Sequence, residues 1–323
     1  MAPMKRGRAG LAGLVLLAAL TACGGSDPPT APANTQNPTP TPTGPPVPTV
    51  PIPSDVSATV RAMLEMVPQQ ITSALLESRE NLPRNPNIAS QINAKIAMLQ
   101  RPTLVDEIYT GRFFVEGSVT STNGRALPVV AVFPLEQMRG EATDTVRTIE
   151  RGLGVLEEFV QTPYPTAQIR VWYGFKIGFS GGGGTLYMED RTTYDGRPPT
   201  TKGLFEAGLY HELSHSYIGN EGLNQLLEVF VYNVIHTGSR EISSWNYLRG
   251  WTPMADANKD LAAVMDVYQL MGHNAMSRSY AAVIPLRPPY GQALSPAVIQ
   301  AFVDRAPDIA KTVVSQKLGL VSF

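Results

Sequence analysis

The chain has 323 residues, and its 26 lysines and arginines nearly balance 27 aspartates and glutamates, for a formal net charge of −1. That balance leaves no basic footprint for a nucleic acid, and the single cysteine excludes an internal disulfide. The length suits one large domain or two small ones.

Lys5, Arg6 and Arg8 precede an apolar run, "LAGLVLLAAL" at residues 11–20, which is too short to span a bilayer and reads as an export signal. The "LTAC" at residues 20–23 resembles the lipobox of bacterial lipoproteins, where the peptide is cut before the cysteine and the sulfur receives a diacylglyceryl group. The resemblance implies a signal peptide over residues 1–22, lipidation of Cys23, and a lipid bilayer as partner through that acyl anchor. Such a cut removes three positive charges and no negative ones, so the formal net charge falls from −1 to −4. In a bacterium with two membranes, Gly24 after the cysteine points to the outer membrane or cell surface, with the periplasmic side left open. Residues 23–53 then form a tether: the Pro/Thr-rich stretch has no apolar set to bury and stays extended. At about 3 Å per residue it could hold a domain several tens of ångströms from the membrane.

The remainder alternates in type. "SDVSATVRAMLEMVPQQITSALLES" has apolar residues at helical spacing behind Ser54 and Asp55, and a second helix is expected from about Asn87 to Leu99. "RFFVEGSVTS" and "ALPVVAVFPL" flank Asn123-Gly124, which predicts a hairpin. A long helix is expected from about Glu141 to Gln161, then a strand in "AQIRVWYGF", then a glycine-rich turn in "SGGGGTLYMED" feeding an edge strand. After Pro198-Pro199 a helix carries "LYHELSHSYIGNEGLNQLLEVF", and the last ninety or so residues read as mostly helical. No internal repeat is visible.

His211 and His215 are four residues apart, so on a helix both imidazoles leave one face and can share a metal ion, with Glu212 beside them. Zinc held by two histidines and a carboxylate keeps a water and lowers its pKa, and a neighbouring glutamate can take the proton during attack on a carbonyl. His236 and His273 are too distant along the chain to be claimed as ligands. The "GGGG" at residues 181–184 lacks the Gly-Lys-Ser/Thr of a phosphate loop.

With this motif the chain resembles the gluzincin zinc peptidases, in particular the aminopeptidase N branch and its bacterial lipoprotein relatives. The resemblance rests on "HELSHSYIGN", "GGTLYMED", the helix and "YP" turn before it, and helices around "VYQLMGHNAMSRSY", over roughly residues 125–305. It implies an α+β, thermolysin-like zinc peptidase domain: a mixed sheet whose edge strand packs on the H-E-x-x-H helix, followed by a helical C-terminal part. The expected organisation is a helical and β region over 54–124, a peptidase core over 125–240 and a helical region over 241–323. The edge strand would pair with an extended peptide or protein substrate. Met188-Glu189-Asp190 matches only part of the branch's Gly-x-Met-Glu-Asn segment, which makes Glu189 the candidate for the substrate's free amine and leaves endo- against exopeptidase action open. The family's oxyanion tyrosine is matched by Tyr247 in "NYLRG", with Tyr280 and Tyr290 as alternatives. The implied function is a tethered extracytoplasmic zinc peptidase with Glu212 as general base. The alternative is a surface lipoprotein that binds peptides or glycans without catalysis.

Two glutamates could complete the zinc site. Glu221 lies in "NEG", which matches the family's ligand string, but a first helix ending in a left-handed cap at Gly219 would leave it at the turn, leaning away. In that hairpin the metal lies roughly 7.5 Å back from the end of the first helix, and Glu228 roughly 10 Å into the second, leaning back toward it. The expected ligand set is therefore His211, His215 and Glu228, with Glu221 the alternative.

Overall fold

The computed structural model describes residues 46–189, 202–242 and 255–322. The signal, Cys23, Asp190, the Pro198-Pro199 pair and Tyr247 lie outside the described residues. Among the described residues no helix is long and apolar enough to cross a membrane.

Helix α1 (Ala58–Asn81) starts at Ser57, whose hydroxyl accepts from the Val60 amide, and not at Ser54-Asp55. Val60, Met63, Leu64, Val67, Ile71 and Ala74 recur every three or four residues and form its buried stripe. Helix α2 (Ala89–Leu99) follows as expected, whereas the short α3 (Leu104–Thr110) was not anticipated. Seven residues give too few turns for a period to stand out.

Strands β1 (Phe114–Thr120) and β2 (Ala126–Val132) form the expected antiparallel hairpin, with Gly124 at φ 81° in its turn. Asn123-Gly124 supplies that left-handed position at little steric cost. The long helix α4 (Arg139–Val160) leads to β3 (Ile169–Tyr173), which lies parallel to β2. Strand β4 (Ser180–Gly182) and strand β5 (Thr185–Met188) complete a mixed sheet of order β1-β2-β3-β5-β4. Here the structure corrects the sequence reading. The first half of the glycine run is the edge strand itself, and "TLYM" lies inside the sheet, parallel to β3 and antiparallel to β4. Only Gly183 and Gly184, at φ 56° and 75°, make the turn.

The sheet is buried on both faces, and its side chains sort by the strand period of two. Val130, Val132 and Trp172 face a core built with α1 and α3, including Leu64, Ile71, Ile108 and Tyr109. Leu127, Val129, Ala131, Val171, Tyr173, Leu186 and Met188 face the larger core on the other side. That second core is shared with α4, α5 (Lys202–Ser214), α6 (Glu221–Thr237), α7 (Ala255–Met271), α8 (His273–Val283), α9 (Pro296–Val303) and α10 (Lys311–Leu318). Phe159 on α4 joins them at one point, with ring centroids 4.3 Å from Phe230 on α6 and 5.2 Å from Tyr280 on α8. The architecture is α+β, a mixed sheet between the N-terminal helices and a larger helical layer.

Candidate metal centre

The centre forms where α5 ends and α6 begins. Helix α5 stops at Ser214, whose carbonyl accepts from both Tyr217 and Ile218 amides in a tight turn at 2.9 and 3.2 Å. Gly219 then runs against a later stretch of chain: its amide donates to Pro288 O at 3.1 Å, and an added Cβ would fall 2.9 Å from Pro288 O and Tyr290 N. The buried Asn220 caps α6 by accepting from Leu223 N at 3.1 Å and donates to Gln292 O at 3.1 Å. Glu221 is thus the first residue of α6, where a negative charge is favourable.

This turn brings three donors together. The Nε2 atoms of His211 and His215 lie 3.1 Å apart, and the Glu221 carboxylate lies 3.1 Å from the first and 3.3 Å from the second. His211, His215 and Glu221 form the one cluster of metal-ligating type among the described residues. Each imidazole is held from behind. His211 Nδ1 donates to Glu228 Oε2 at 3.0 Å, and His215 Nδ1 donates to Ile218 O at 3.2 Å, which turns both Nε2 atoms toward one spot. Asn224 Nδ2 donates to His211 O at 3.0 Å, tying α6 to α5 at the same level.

Glu228, expected as the third donor, therefore sits on the far edge of the His211 ring. The reason is the shape of the turn. Gly219 does not take the left-handed conformation, and α5 ends five residues before it rather than at it. His215 thus lies just past the end of α5, and the turn folds Glu221 back to the level of the two rings.

The charges in the group are strongly coupled. Burial alone would lower the His211 pKa, but its hydrogen bonds to Glu221 and Glu228 overcome that and raise it well above the ordinary range. Burial would raise Glu221, yet the two imidazoles hold it well below the usual carboxylate range. Glu212 is buried, and burial pushes its carboxyl up, with His211 and His215 opposing. A centre with two carboxylates around two facing imidazole nitrogens is arranged for a positive charge.

The other expected residues fall elsewhere. The Glu189 carboxylate follows β5 and accepts from Gly178 N at 2.8 Å. Tyr280 is fully buried and donates to Leu223 O at 2.7 Å, so its hydroxyl holds α8 to α6. Tyr290 is 39% exposed, with its ring 6.5 Å from that of His215. His236 pairs with the buried Glu206 at 2.8 Å, and His273 stacks on Phe230, so neither joins the centre. Sequence reasoning passed over Asn224 and read Gly181 only as part of a turn. An added Cβ on Gly181 would lie 2.7 Å from Glu212 O and 2.8 Å from Glu212 Cβ, so β4 rests directly on the H-E-x-x-H helix. Nothing local in the sequence marks either contact.

No protein-family model matches the chain, and no curated protein matches it. Among solved structures, the chain is similar to Legionella pneumophila aminopeptidase A in complex with aspartic acid. The TM-score is 0.48 and the identity 13%, over 65% of this chain and 28% of that one. It is also similar to the M1 zinc metallopeptidase from Deinococcus radiodurans, with a TM-score of 0.44 and 12% identity, over 65% of this chain and 52% of that one. The chain thus spans from about a quarter to about half the length of these structures.

Proposed function

We propose that the protein is a membrane-tethered, zinc-dependent peptidase that hydrolyses peptide bonds outside the cytoplasm. The observation that supports this most is the spacing of the three donors. Their separations of 3.1, 3.1 and 3.3 Å compare with about 3.3 Å for the edge of a tetrahedron with zinc bonds of about 2.0–2.1 Å. His211, His215 and Glu221 would hold the ion. Zinc there supplies Lewis-acid polarisation of a carbonyl and lowers the pKa of a water.

The rest is the work of side chains. Glu212 takes a proton from the attacking water and passes it to the amine nitrogen that leaves, as the water's oxygen joins the acyl carbon and the C–N bond breaks. Glu228 and the Ile218 carbonyl hold the two Nδ1 protons, which keeps both imidazoles in the ligating tautomer. Asn224 fixes the backbone of His211. Tyr247 or the partly exposed Tyr290 donates to the developing oxyanion, and phenylalanine at each position separates the two. A purely structural ion would have no use for Glu212. The "LTAC" string and the proline-rich tether support the anchoring part of the reading.

Metal analysis of the mature protein in detergent, with cleavage profiling on a mixed peptide library and a chelated control, tests the function. One zinc per chain and chelator-sensitive cleavage are expected. A metal-free protein that cuts nothing yet binds a peptide or glycan would shift the reading to a non-catalytic surface lipoprotein.

A further inference from the structure

We infer, resting on the zinc peptidase reading, that Tyr164 and Ser216 are positioning residues of the metal centre, which act through the turn that carries His215. His215 lies just past the end of α5, so the helix alone does not place it. Its amide keeps one bond back, to His211 O at 3.3 Å, and its ring is set by Nδ1 donating to Ile218 O at 3.2 Å. The aim of its Nε2 therefore depends on how firmly residues 215–218 are held.

Much of that hold comes from the segment between α4 and β3. The hydroxyls of Ser216 and Tyr164 are hydrogen-bonded at 2.7 Å, and the Tyr217 hydroxyl crosses back to donate to Thr162 O at 3.1 Å. The two tyrosine rings are buried and meet edge to face, with centroids 5.6 Å apart. Consecutive residues of the turn thus grip the 162–164 segment by two bonds. Gly184 N, in the turn between β4 and β5, also donates to Ser216 Oγ at 3.3 Å.

The segment is itself fixed. Tyr164 N donates to the buried Glu157 Oε1 at 2.6 Å, and Arg125 Nη2 donates to the carbonyls of Tyr164 at 2.6 Å and Thr166 at 2.9 Å. Glu157 Oε1 also accepts from Ser121 Oγ at 2.6 Å. One connected set of bonds therefore runs from the β1–β2 hairpin through Glu157 and Tyr164 to Ser216, the residue after the ligand His215. Neither hydroxyl is bonded to an imidazole, so each acts through the backbone of the turn.

The test uses the mature protein in detergent, metal-free and then loaded with zinc or with cobalt(II), whose visible absorption reports its coordination geometry. Tyr164→Phe and Ser216→Ala each remove one end of the same bond. Loss of a group bonded directly to a ligand costs about 10–100-fold, and these hydroxyls stand one step further out, so each variant should raise the zinc Kd at least about fivefold. The cobalt bands should shift, while melts of the metal-free variants still show a folded protein. Because both changes break one bond, the double variant should lose little more than Ser216→Ala alone. Tyr109→Phe is the control. Its buried hydroxyl donates to Leu64 O at 2.9 Å in the core on the other face of the sheet, and its loss should leave zinc affinity and the cobalt bands unchanged. If Tyr164→Phe does not fold, Ser216→Ala decides alone. A loss below about fivefold with unmoved cobalt bands would overturn the inference, as would losses that multiply in the double variant or a comparable loss in Tyr109→Phe. A wild-type chain that binds neither metal would overturn the zinc reading itself, and the inference with it.

Discussion

Removing the Glu221 carboxylate should weaken zinc binding more than removing that of Glu228, because only Glu221 faces both Nε2 atoms. Four-donor structural zinc sites bind with about 10–16 kcal/mol, or about 2.5–4 kcal/mol for each donor. At 1.4 kcal/mol per factor of ten, Glu221→Ala should raise Kd by about 10²–10³-fold. Glu228 touches the metal's surroundings only through His211 Nδ1 at 3.0 Å. Loss of such an orienting partner costs about 10–100-fold, and Glu228→Gln, which keeps an acceptor oxygen, should lose less than Glu228→Ala. Competition with a chromophoric chelator at neutral pH reads these affinities without any turnover. Thermal melts of the metal-free variants separate the cost of breaking this buried ion-pair group from the loss of zinc binding. If Glu228→Ala loses zinc as strongly as Glu221→Ala or more so, the turn between α5 and α6 is not as described and the three-donor reasoning fails.

Glu212→Gln should keep zinc affinity within a few-fold yet lower turnover by about 10²–10⁴-fold, measured by single-turnover cleavage; activity near wild type would remove Glu212 from the mechanism. Gly181→Ala puts a methyl group 2.7 Å from a backbone oxygen of α5, so it should destabilise the fold by about 1–3 kcal/mol in urea melts. An unchanged midpoint would show that β4 does not press on Glu212. Cys23→Ser should release the protein from the membrane fraction on gentle lysis, and full retention in that fraction would count against the lipid anchor.

Much of the site's local chemistry was legible in the sequence because it depends on short spacings. The four-residue spacing of His211 and His215 marks them as a pair, although His215 lies just past the end of α5, Asn123-Gly124 marks its hairpin, and the alternation in "AQIRVWYGF" marks β3. The long α4 was visible from its apolar period, within two residues at its start and one at its end. Helix α3 was not, since seven residues carry too little pattern.

Which glutamate meets the imidazoles was decided by distant chain. Glu221 and Glu228 are both plausible by distance along a helix, and the choice turns on where α5 stops. The turn that follows is bonded to chain some seventy residues downstream: Gly219 N donates to Pro288 O and Asn220 Nδ2 to Gln292 O, and Tyr290 N leaves no room for a Cβ at Gly219. The edge strand was hidden for a related reason. Glycine is disfavoured in strands, so "SGGGG" reads as a turn, and only the approach of Glu212 makes a side-chain-free strand the one that fits. The sequence by itself determined which groups could bind an ion and handle a proton, because those are properties of residue type and helical spacing. Tertiary structure alone decided which of them converge, because convergence depends on contacts between segments that are remote along the chain and leave no local pattern in it.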